Sequence, residues 1–121
     1  MHVITKEFHF SSSHVLKGLA EGHPCGRLHG HNYTLTICLK GEPDNIGFVQ
    51  DYNDLKPISK WIDDALDHKH LNDIFDFNPT VELMSKFIFD KFKPLFPKLY
   101  AVKMSETPKT SCFYEPTYHS Y

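Results

Sequence analysis

The sequence predicts an α+β fold in which a four-stranded antiparallel sheet carries two helices on one face, in the order ββααββ. Residues near both ends of the chain alternate between apolar and polar, which is the period of a half-buried strand, whereas apolar residues in the middle recur at helical spacing. The chain has 121 residues, of which 40% are hydrophobic and 23% charged. That length and composition fit a single domain, residues 1–121.

The first two strands are predicted at residues 2–13 and 30–41. Even positions share one face of the first strand: Ile4, Phe8, Phe10, Ser12 and His14. Odd positions share one face of the second: His29, His31, Tyr33, Leu35, Ile37 and Leu39. Antiparallel pairing would bring together the two ends of the loop between them, which carries Cys25 and Arg27, the only arginine.

Two helices are predicted in the middle of the chain. Asn53 or Asp54 can cap the first, in which Pro57 fits only the first turn. Its apolar stripe is Leu55, Ile58, Ile62 and Ala65. The second helix begins after the N-cap Thr80 and ends before Pro94. Its stripe is Val81, Met84, Phe87 and Ile88.

The last two strands are joined by the turn residues Thr-Pro-Lys-Thr. One face of the first of them is Tyr100, Val102, Met104 and Glu106. Residues 111–115 are predicted to pair back, and the tail from Pro116 is expected to be loosely held. Because four strands leave two open edges, which proteins commonly pair across subunits, we expect a homo-oligomer.

Composition excludes several classes of protein. Thirteen basic against fifteen acidic residues give a formal net charge of −2, so bulk charge does not predict a nucleic-acid or membrane partner. No apolar run approaches the roughly 20 residues that cross a bilayer, and the first ten residues lack a secretory signal. Cys25, Cys38 and Cys112 are too few and too widely spaced for a disulfide framework. We therefore expect a cytoplasmic protein.

Nine histidines are the outlying feature of the composition. His29 and His31 point to the same face at the start of one strand, and His14 has the matching parity at the end of its neighbour. Three imidazoles with one position left open are typical of catalytic Zn²⁺. His9 and His23 are the alternative ligands, although His9 faces the opposite side of its strand.

For each of the other candidate site residues, the sequence is compatible with two roles. Cys25 is either a fourth metal ligand, which would make the metal structural, or a free thiolate that accepts a proton, whereas Cys38 and Cys112 are expected to pack in the core. Asp67 and His68 are either a carboxylate that orients an imidazole or a polar helix end. Glu106 can accept two parallel hydrogen bonds from a guanidine-like edge, or it is a solvated strand end.

Six segments together resemble the 6-pyruvoyl-tetrahydropterin synthase and 6-carboxy-tetrahydropterin synthase family. They are Phe10–His14, Cys25–Tyr33, Phe48–Tyr52, Leu66–Asn72, Asn78–Thr80 with Glu82, and Ser105–Thr107. The resemblance implies the tunnelling fold, in which subunits join into trimeric barrels that stack as homohexamers, with pterin sites at subunit interfaces.

The resemblance also implies a role for each site residue. Zn²⁺ would be held by His14, His29 and His31. The proton-abstracting thiolate would be Cys25, and the second acid/base pair would be Asp67 with His68. Glu106 would anchor the pterin, with further hydrogen bonds from Thr80 and Thr107. Val81 stands where the family often has Ser or Thr, and Arg27 is the leading candidate for the substrate's triphosphate.

The motif Cys-Gly-Arg-Leu-His-Gly-His is most similar to the bacterial 6-carboxy-tetrahydropterin synthases of queuosine biosynthesis. That subgroup converts 7,8-dihydroneopterin triphosphate to 6-carboxy-5,6,7,8-tetrahydropterin, acetaldehyde and triphosphate. Two alternatives stay open: a 6-pyruvoyl-tetrahydropterin synthase with the same substrate, and a non-catalytic binding module whose zinc site Cys25 closes. A folate-synthesis member would normally carry Glu at the position of Cys25, which argues against that branch.

Overall fold

Residues 1–117 are described by a computed structural model. The strands are β1 (His2–His14), β2 (His29–Gly41), β3 (Lys69–His70), β4 (Leu99–Thr107) and β5 (Thr110–Tyr114). The helices are α1 (Lys56–Trp61), α2 (Leu71–Ile74) and α3 (Val81–Phe92). The prediction for the tail from Pro116 concerns residues that, after Thr117, lie outside this part of the chain.

The five strands form one sheet in the order β3-β1-β2-β4-β5. β1 and β2 pair antiparallel along their whole length, from His2 opposite Gly41 to His14 opposite His29. The predicted antiparallel pairing of the first two strands is therefore confirmed, as is that of β4 with β5. The register of β1 and β2 sets two of the candidate metal ligands side by side.

The predicted count of four antiparallel strands is wrong, because β3 is a fifth strand. It runs parallel to β1, with Ser12 opposite Lys69 and Ser13 opposite His70, so that the sheet is mixed. A strand of two residues has no alternation that a pattern search can detect. Its consequence is functional, since it brings the segment after α1 against the end of β1 that carries His14.

The first helical segment is also less regular than predicted. A 3₁₀ turn, Tyr52–Leu55, precedes α1, and a π-helical turn, Ile62–Leu66, follows it. The cap is Asp51, whose carboxylate accepts from the backbone N–H of Asn53, rather than Asn53 or Asp54. By contrast, the Thr80 hydroxyl caps α3 as predicted by accepting from the backbone N–H of Leu83.

The hydrophobic core lies between the helices and one face of the sheet. Its strand residues include Phe8, Phe10, Tyr33, Leu35, Ile37, Leu39, Leu99, Val102 and Met104. Tyr100 does not share this face, contrary to the prediction: the register of β2 and β4 shifts between Cys38 and Leu39, and the Tyr100 ring lies 6.3 Å from that of the exposed Phe113. The shift lets Leu99 and Val102, which are three residues apart, both face the core.

Within residues 1–117, we find no helix with the length and apolar character needed to span a bilayer.

Candidate active site

Three histidines meet at the end of the sheet where β1 finishes and β2 begins. One ring nitrogen from each of His14, His29 and His31 lies within 4.8 Å of the others. The strand register produces this arrangement, because His14 pairs with His29 and the period of two puts His31 on the same face. The prediction that these three side chains converge is confirmed.

Hydrogen bonds orient two of these rings. The Nδ1–H of His14 donates to the Pro79 carbonyl at 2.9 Å, and the Nδ1–H of His29 donates to the Arg27 carbonyl at 2.6 Å. A carbonyl can only accept, so each ring carries its proton on Nδ1 and a lone pair on Nε2. The two Nε2 atoms face each other at 2.9 Å. In neutral rings these two lone pairs repel unless a proton or a metal ion lies between them.

The third ring supplies the same kind of atom. His31 Nε2 is buried and has no hydrogen-bond partner among the described residues. The Glu106 carboxylate approaches it to 3.5 Å, which is a charge contact rather than a hydrogen bond. A buried polar atom without a partner is costly, and a metal ion would satisfy all three nitrogens together. The donor set therefore fits a metal ion.

Burial keeps His14 in the form that binds metal. His14 is fully buried, and this desolvation lowers its pKa below the ordinary value of 6.5, although the hydrogen bond to Pro79 opposes the shift. The hydroxyl of Tyr33 lies 3.2 Å from the same Nδ1, and burial raises the pKa of Tyr33 so that it stays protonated. Pro79 and Tyr33 were not predicted as contributors, since a backbone carbonyl and a core tyrosine carry no sequence signal.

Asp67 and His68 form a pair beside the last residues of strand β1. Asp67 Oδ1 accepts from the Ser11 backbone N–H at 2.9 Å, and Oδ2 accepts from His68 Nδ1 at 3.0 Å. The Ser11 N–H is the main reason that the pKa of Asp67 is lowered, with His68 adding to it. His68 adopts a left-handed backbone with φ 57°, and its side chain is 83% exposed. Asp67 thus orients an imidazole whose Nε2 faces outward.

An open cleft of about 500 Å³ is lined by His68 of this pair and by His31 of the histidine cluster. Its lining also includes hydroxyl, amide, amine and imidazole side chains: Ser11, Ser13, Asn32, Lys69 and His70. The Ser13 hydroxyl and His70 Nδ1 lie 3.0 Å apart. The cleft brings polar groups that can donate or accept protons next to a candidate metal ligand, which is the setting for metal-assisted acid/base chemistry.

Cys25 lies in a single 3₁₀ turn, Pro24–Gly26, and is half-buried. Its backbone N–H donates to His23 Nδ1 at 3.1 Å, and its carbonyl accepts from the Leu16 N–H at 3.2 Å. Cys25 is not part of the group of donor atoms that could hold a metal in residues 1–117. This geometry favours a free thiol over a fourth ligand.

Glu106 and Thr107 lie at the end of β4, on the other side of His31 from His68. Glu106 is between two cavities of about 450 and 420 Å³, one bounded by Glu82 and the other by His31 and Thr107. The Thr107 hydroxyl also lies 2.9 Å from that of Thr110. A carboxylate at such a junction is accessible to a ligand.

The structure does not bring the remaining predicted residues to the cleft. The Thr80 hydroxyl is occupied as the α3 cap, and Arg27 lines a separate depression of about 250 Å³ with Leu16 and His23. Arg27 contributes its carbonyl, rather than its guanidinium, to the histidine cluster.

Neither alternative ligand joins the metal-capable group. His9 lies on the outer face between Glu7 at 3.7 Å and Thr34 at 3.4 Å, and His23 accepts from the Cys25 N–H.

Comparison with known proteins then decides the family. A family described as 6-pyruvoyl tetrahydropterin synthase matches residues 3–117. The chain belongs to this family. It is thus a member of a family of lyases that act on pterins, and its fold is the tunnelling fold of that family.

Relatives with two different names resemble the chain to a similar degree. The 6-carboxy-5,6,7,8-tetrahydropterin synthase of Bacillus subtilis is 33% identical over 93% of this chain and 84% of its own length. The 6-pyruvoyl tetrahydrobiopterin synthase of Dictyostelium discoideum is 37% identical over 93% of this chain and 94% of its own. The solved 6-pyruvoyl tetrahydropterin synthase of Caenorhabditis elegans superposes with a TM-score of 0.81 at 30% identity, covering 97% of this chain and 98% of that one.

Proposed function

We propose that the chain is a zinc-dependent 6-carboxy-5,6,7,8-tetrahydropterin synthase of queuosine (7-deazapurine) biosynthesis. Its substrates would be 7,8-dihydroneopterin triphosphate and one water, and its products 6-carboxy-tetrahydropterin, acetaldehyde and triphosphate. The observation that carries the proposal is the set of three inward-facing Nε2 atoms of His14, His29 and His31 beside a cleft that contains His68. The similarity to the B. subtilis enzyme supports the 6-carboxy product.

The three histidines would hold Zn²⁺ with one position open to substrate. A bound Zn²⁺ acts as a Lewis acid that makes hydroxyl groups and the C–H bonds beside them more acidic. Carbonyls hold the rings of His14 and His29 in the ligating tautomer, and such supporting hydrogen bonds are typical of metal sites in proteins.

Two groups would move protons at the substrate's side chain. The Cys25 Sγ would take a proton as a thiolate, and His68 Nε2 would exchange one on the opposite side. Asp67 keeps one His68 proton on Nδ1, because the Asp67 Oδ2 accepts a hydrogen bond from the His68 Nδ1–H. Nε2 is then the nitrogen that faces the substrate in this proposal. The lowered pKa of Asp67 keeps the carboxylate charged, so that it stabilises the imidazolium that forms.

Glu106 would bind the pterin ring. Its carboxylate can accept two parallel hydrogen bonds from the N3–H and 2-amino group of a 2-amino-4-oxo ring. Thr107 lines the same cavity as Glu106 and is proposed to contribute a further hydrogen bond, as is Thr80. Arg27 stays the proposed contact for the triphosphate.

We propose that the working form is a homohexamer, a dimer of trimers. The Arg27 depression and the Glu106 cavities are separate from the cleft that contains His68, so that one chain does not gather all the proposed groups in one cavity. A neighbouring copy could complete the site. β5 has one strand neighbour, β4, within residues 1–117, and its other edge is available to pair with another copy.

A 6-pyruvoyl-tetrahydropterin synthase is the second candidate, because the D. discoideum relative bears that name at comparable identity. The two activities share a substrate and differ in whether the three-carbon side chain stays on the ring. Incubation of the purified protein with 7,8-dihydroneopterin triphosphate, followed by mass spectrometry of the pterin and an acetaldehyde assay, separates them. We expect acetaldehyde in equal amount to 6-carboxy-tetrahydropterin. A pterin that retains three side-chain carbons would establish the second candidate, and unchanged substrate would contradict both.

A further inference from the structure

Two asparagine side chains hydrogen-bond the backbone just after the metal-binding end of β1. Asn72 accepts from the Val15 N–H at 2.8 Å and donates to the Val15 carbonyl at 2.9 Å. Asn78 does the same to Lys17, accepting at 2.9 Å and donating at 3.0 Å. Each amide therefore satisfies both backbone groups of one residue, as a neighbouring strand would. We call this pair the Asn72–Asn78 clamp.

Leu16 lies between the two clamped residues, and its backbone N–H has a different partner. Its N–H donates to the Cys25 carbonyl at 3.2 Å. The hydrogen bonds of Val15, Leu16 and Lys17 thus alternate in direction beyond His14, as they would in a strand. Leu16 is the residue that contacts the turn containing Cys25. Cys25 lies in a loop of 14 residues, 15–28, between the strands that end and begin at metal ligands.

The clamp belongs to the same segment that supports the rest of the site. Asp67 accepts from Ser11 and the Pro79 carbonyl accepts from His14, so residues 67–79 contact both β1 and the chain that follows it. One segment therefore orients a metal ligand, the acid/base pair and, through Leu16, the cysteine turn.

We propose that Asn72 and Asn78 are positioning residues that hold the Cys25 thiol in register with the histidine metal centre. Within residues 1–117 their side-chain hydrogen bonds go to Val15 and Lys17 rather than to the three histidines, and they would act through the Leu16–Cys25 hydrogen bond. The inference rests on the proposed function for its catalytic meaning, but not for its structural content. A displacement of about 1 Å in a catalytic group can cost roughly 100-fold in rate, so a loop of this length needs such a restraint.

The test compares Asn72→Ala and Asn78→Ala with wild type and with the control Asn53→Ala. Asn53 is an exposed asparagine in the 3₁₀ turn before α1, where the Asp51 cap bonds its backbone rather than its side chain. Circular dichroism and zinc content establish that each variant folds and keeps the three-histidine site. Asn78 is the more exposed of the two clamp contacts, so its variant is expected to fold even where Asn72→Ala does not.

The first readout is the alkylation rate of Cys25 by iodoacetamide, followed by peptide mass spectrometry, with and without bound zinc. A thiol held near a cation changes reactivity when the cation leaves. We expect a zinc-dependent change of roughly tenfold in wild type and Asn53→Ala, falling below about twofold in the clamp variants. The same ratio in all folded proteins, or a wild-type ratio near one, would overturn the proposal.

The second readout is turnover of 7,8-dihydroneopterin triphosphate. The clamp variants should lose roughly 10- to 100-fold in kcat with little change in KM, because positioning of the base affects chemistry rather than binding. Unchanged kcat in both would overturn the inference. If wild type turns over nothing while the alkylation ratios differ as expected, the proposed function fails and the clamp stands.

Discussion

The Nε2 atoms of His14 and His29 lie 2.9 Å apart, and the Nδ1–H of each ring donates a hydrogen bond to a backbone carbonyl. When both rings are neutral, neither Nε2 has a proton to donate to the other. A proton or a metal ion between the two lone pairs makes such a contact favourable. The arrangement follows from strand register, so that the fold itself brings together three side chains that could hold a metal ion.

We predict that the purified protein contains about one zinc per chain and that His29→Ala and His31→Ala each lose most of it. Two imidazoles bind Zn²⁺ far more weakly than three. Elemental analysis after desalting measures this, and His9→Ala, on the outer face of β1, is the matched control that should keep its zinc. Full zinc occupancy in both ligand variants would show that the ion is held elsewhere.

We predict that Cys25→Ala abolishes turnover while its zinc content and assembly stay as in wild type. A base can be removed without opening a three-histidine site. Activity assays, elemental analysis and size-exclusion chromatography test the three parts. Loss of zinc in this variant would favour the binding-module alternative.

The other cysteines provide the control for that variant. Cys38 is buried, which raises the pKa of its thiol and keeps it protonated. The expectation that Cys112 packs in the core is wrong, because this residue of the short strand β5 is half-buried and lines the cavity that Glu82 and Glu106 also line. Cys38→Ala and Cys112→Ala should remain active, and inactivation of either, in a folded protein, would mean that the thiol is wrongly assigned.

The periodicity of the long strands was sufficient to predict most of the fold. Alternation placed His14, His29 and His31 on one face, and an antiparallel pair leaves a single register in which the buried sets of both strands coincide. Short or irregular elements were not predicted. Strand β3 has only two residues, and the bulge at Tyr100 breaks the alternation on which the prediction of β4 depends.

For the site, residues whose own chemistry is distinctive were predictable. Asp67 and His68 are adjacent in sequence and in contact in the structure. The supporting groups were not predictable, since the Pro79 carbonyl, the Ser11 N–H and the amide of Asn78 act through contacts between distant parts of the chain. Sequence spacing contains no information on such contacts.

Glu106→Gln should weaken the binding of pterins by at least about tenfold, whatever their side chain. The substitution turns one acceptor into a donor that would face the ring's own donors. Calorimetry with an unreactive pterin without phosphates, such as neopterin or sepiapterin, measures the ring contact alone. Glu42→Gln is the matched control and should bind as wild type does, because Glu42 is an exposed carboxylate that pairs with the N-terminal amine, beyond the other end of β2.

Equal affinities of wild type and Glu106→Gln would end the anchoring role of this residue. Zinc content should be unchanged, because Glu106 contacts His31 at 3.5 Å without a hydrogen bond.

Asp67→Asn should reduce kcat roughly 10²- to 10⁴-fold, because a neutral amide no longer fixes the His68 tautomer or stabilises its cation. It should also change the dependence of stability on pH. The pKa of Asp67 is below its ordinary value of 3.8 in the folded chain, so its charge stabilises the fold above that pH and the contribution is lost as pH falls through the lower folded value.

Urea unfolding of wild type and Asp67→Asn at several pH values tests this sign. The difference in free energy of unfolding should be constant near neutral pH and shrink below about pH 4. A difference that does not vary with pH would mean that the Ser11 N–H does not hold the Asp67 charge.

The central claim is that three histidines hold an open, catalytic Zn²⁺ beside a cysteine that is free to act as a base. X-ray absorption at the zinc edge of the substrate-free protein tests it most directly, since nitrogen or oxygen ligands lie near 2.0–2.1 Å and sulfur near 2.3 Å from zinc. We predict a shell of nitrogen and oxygen only, with a contribution from imidazole ligands. A sulfur ligand at about 2.3 Å that disappears in Cys25→Ala would contradict the account, because the site would then be closed and structural.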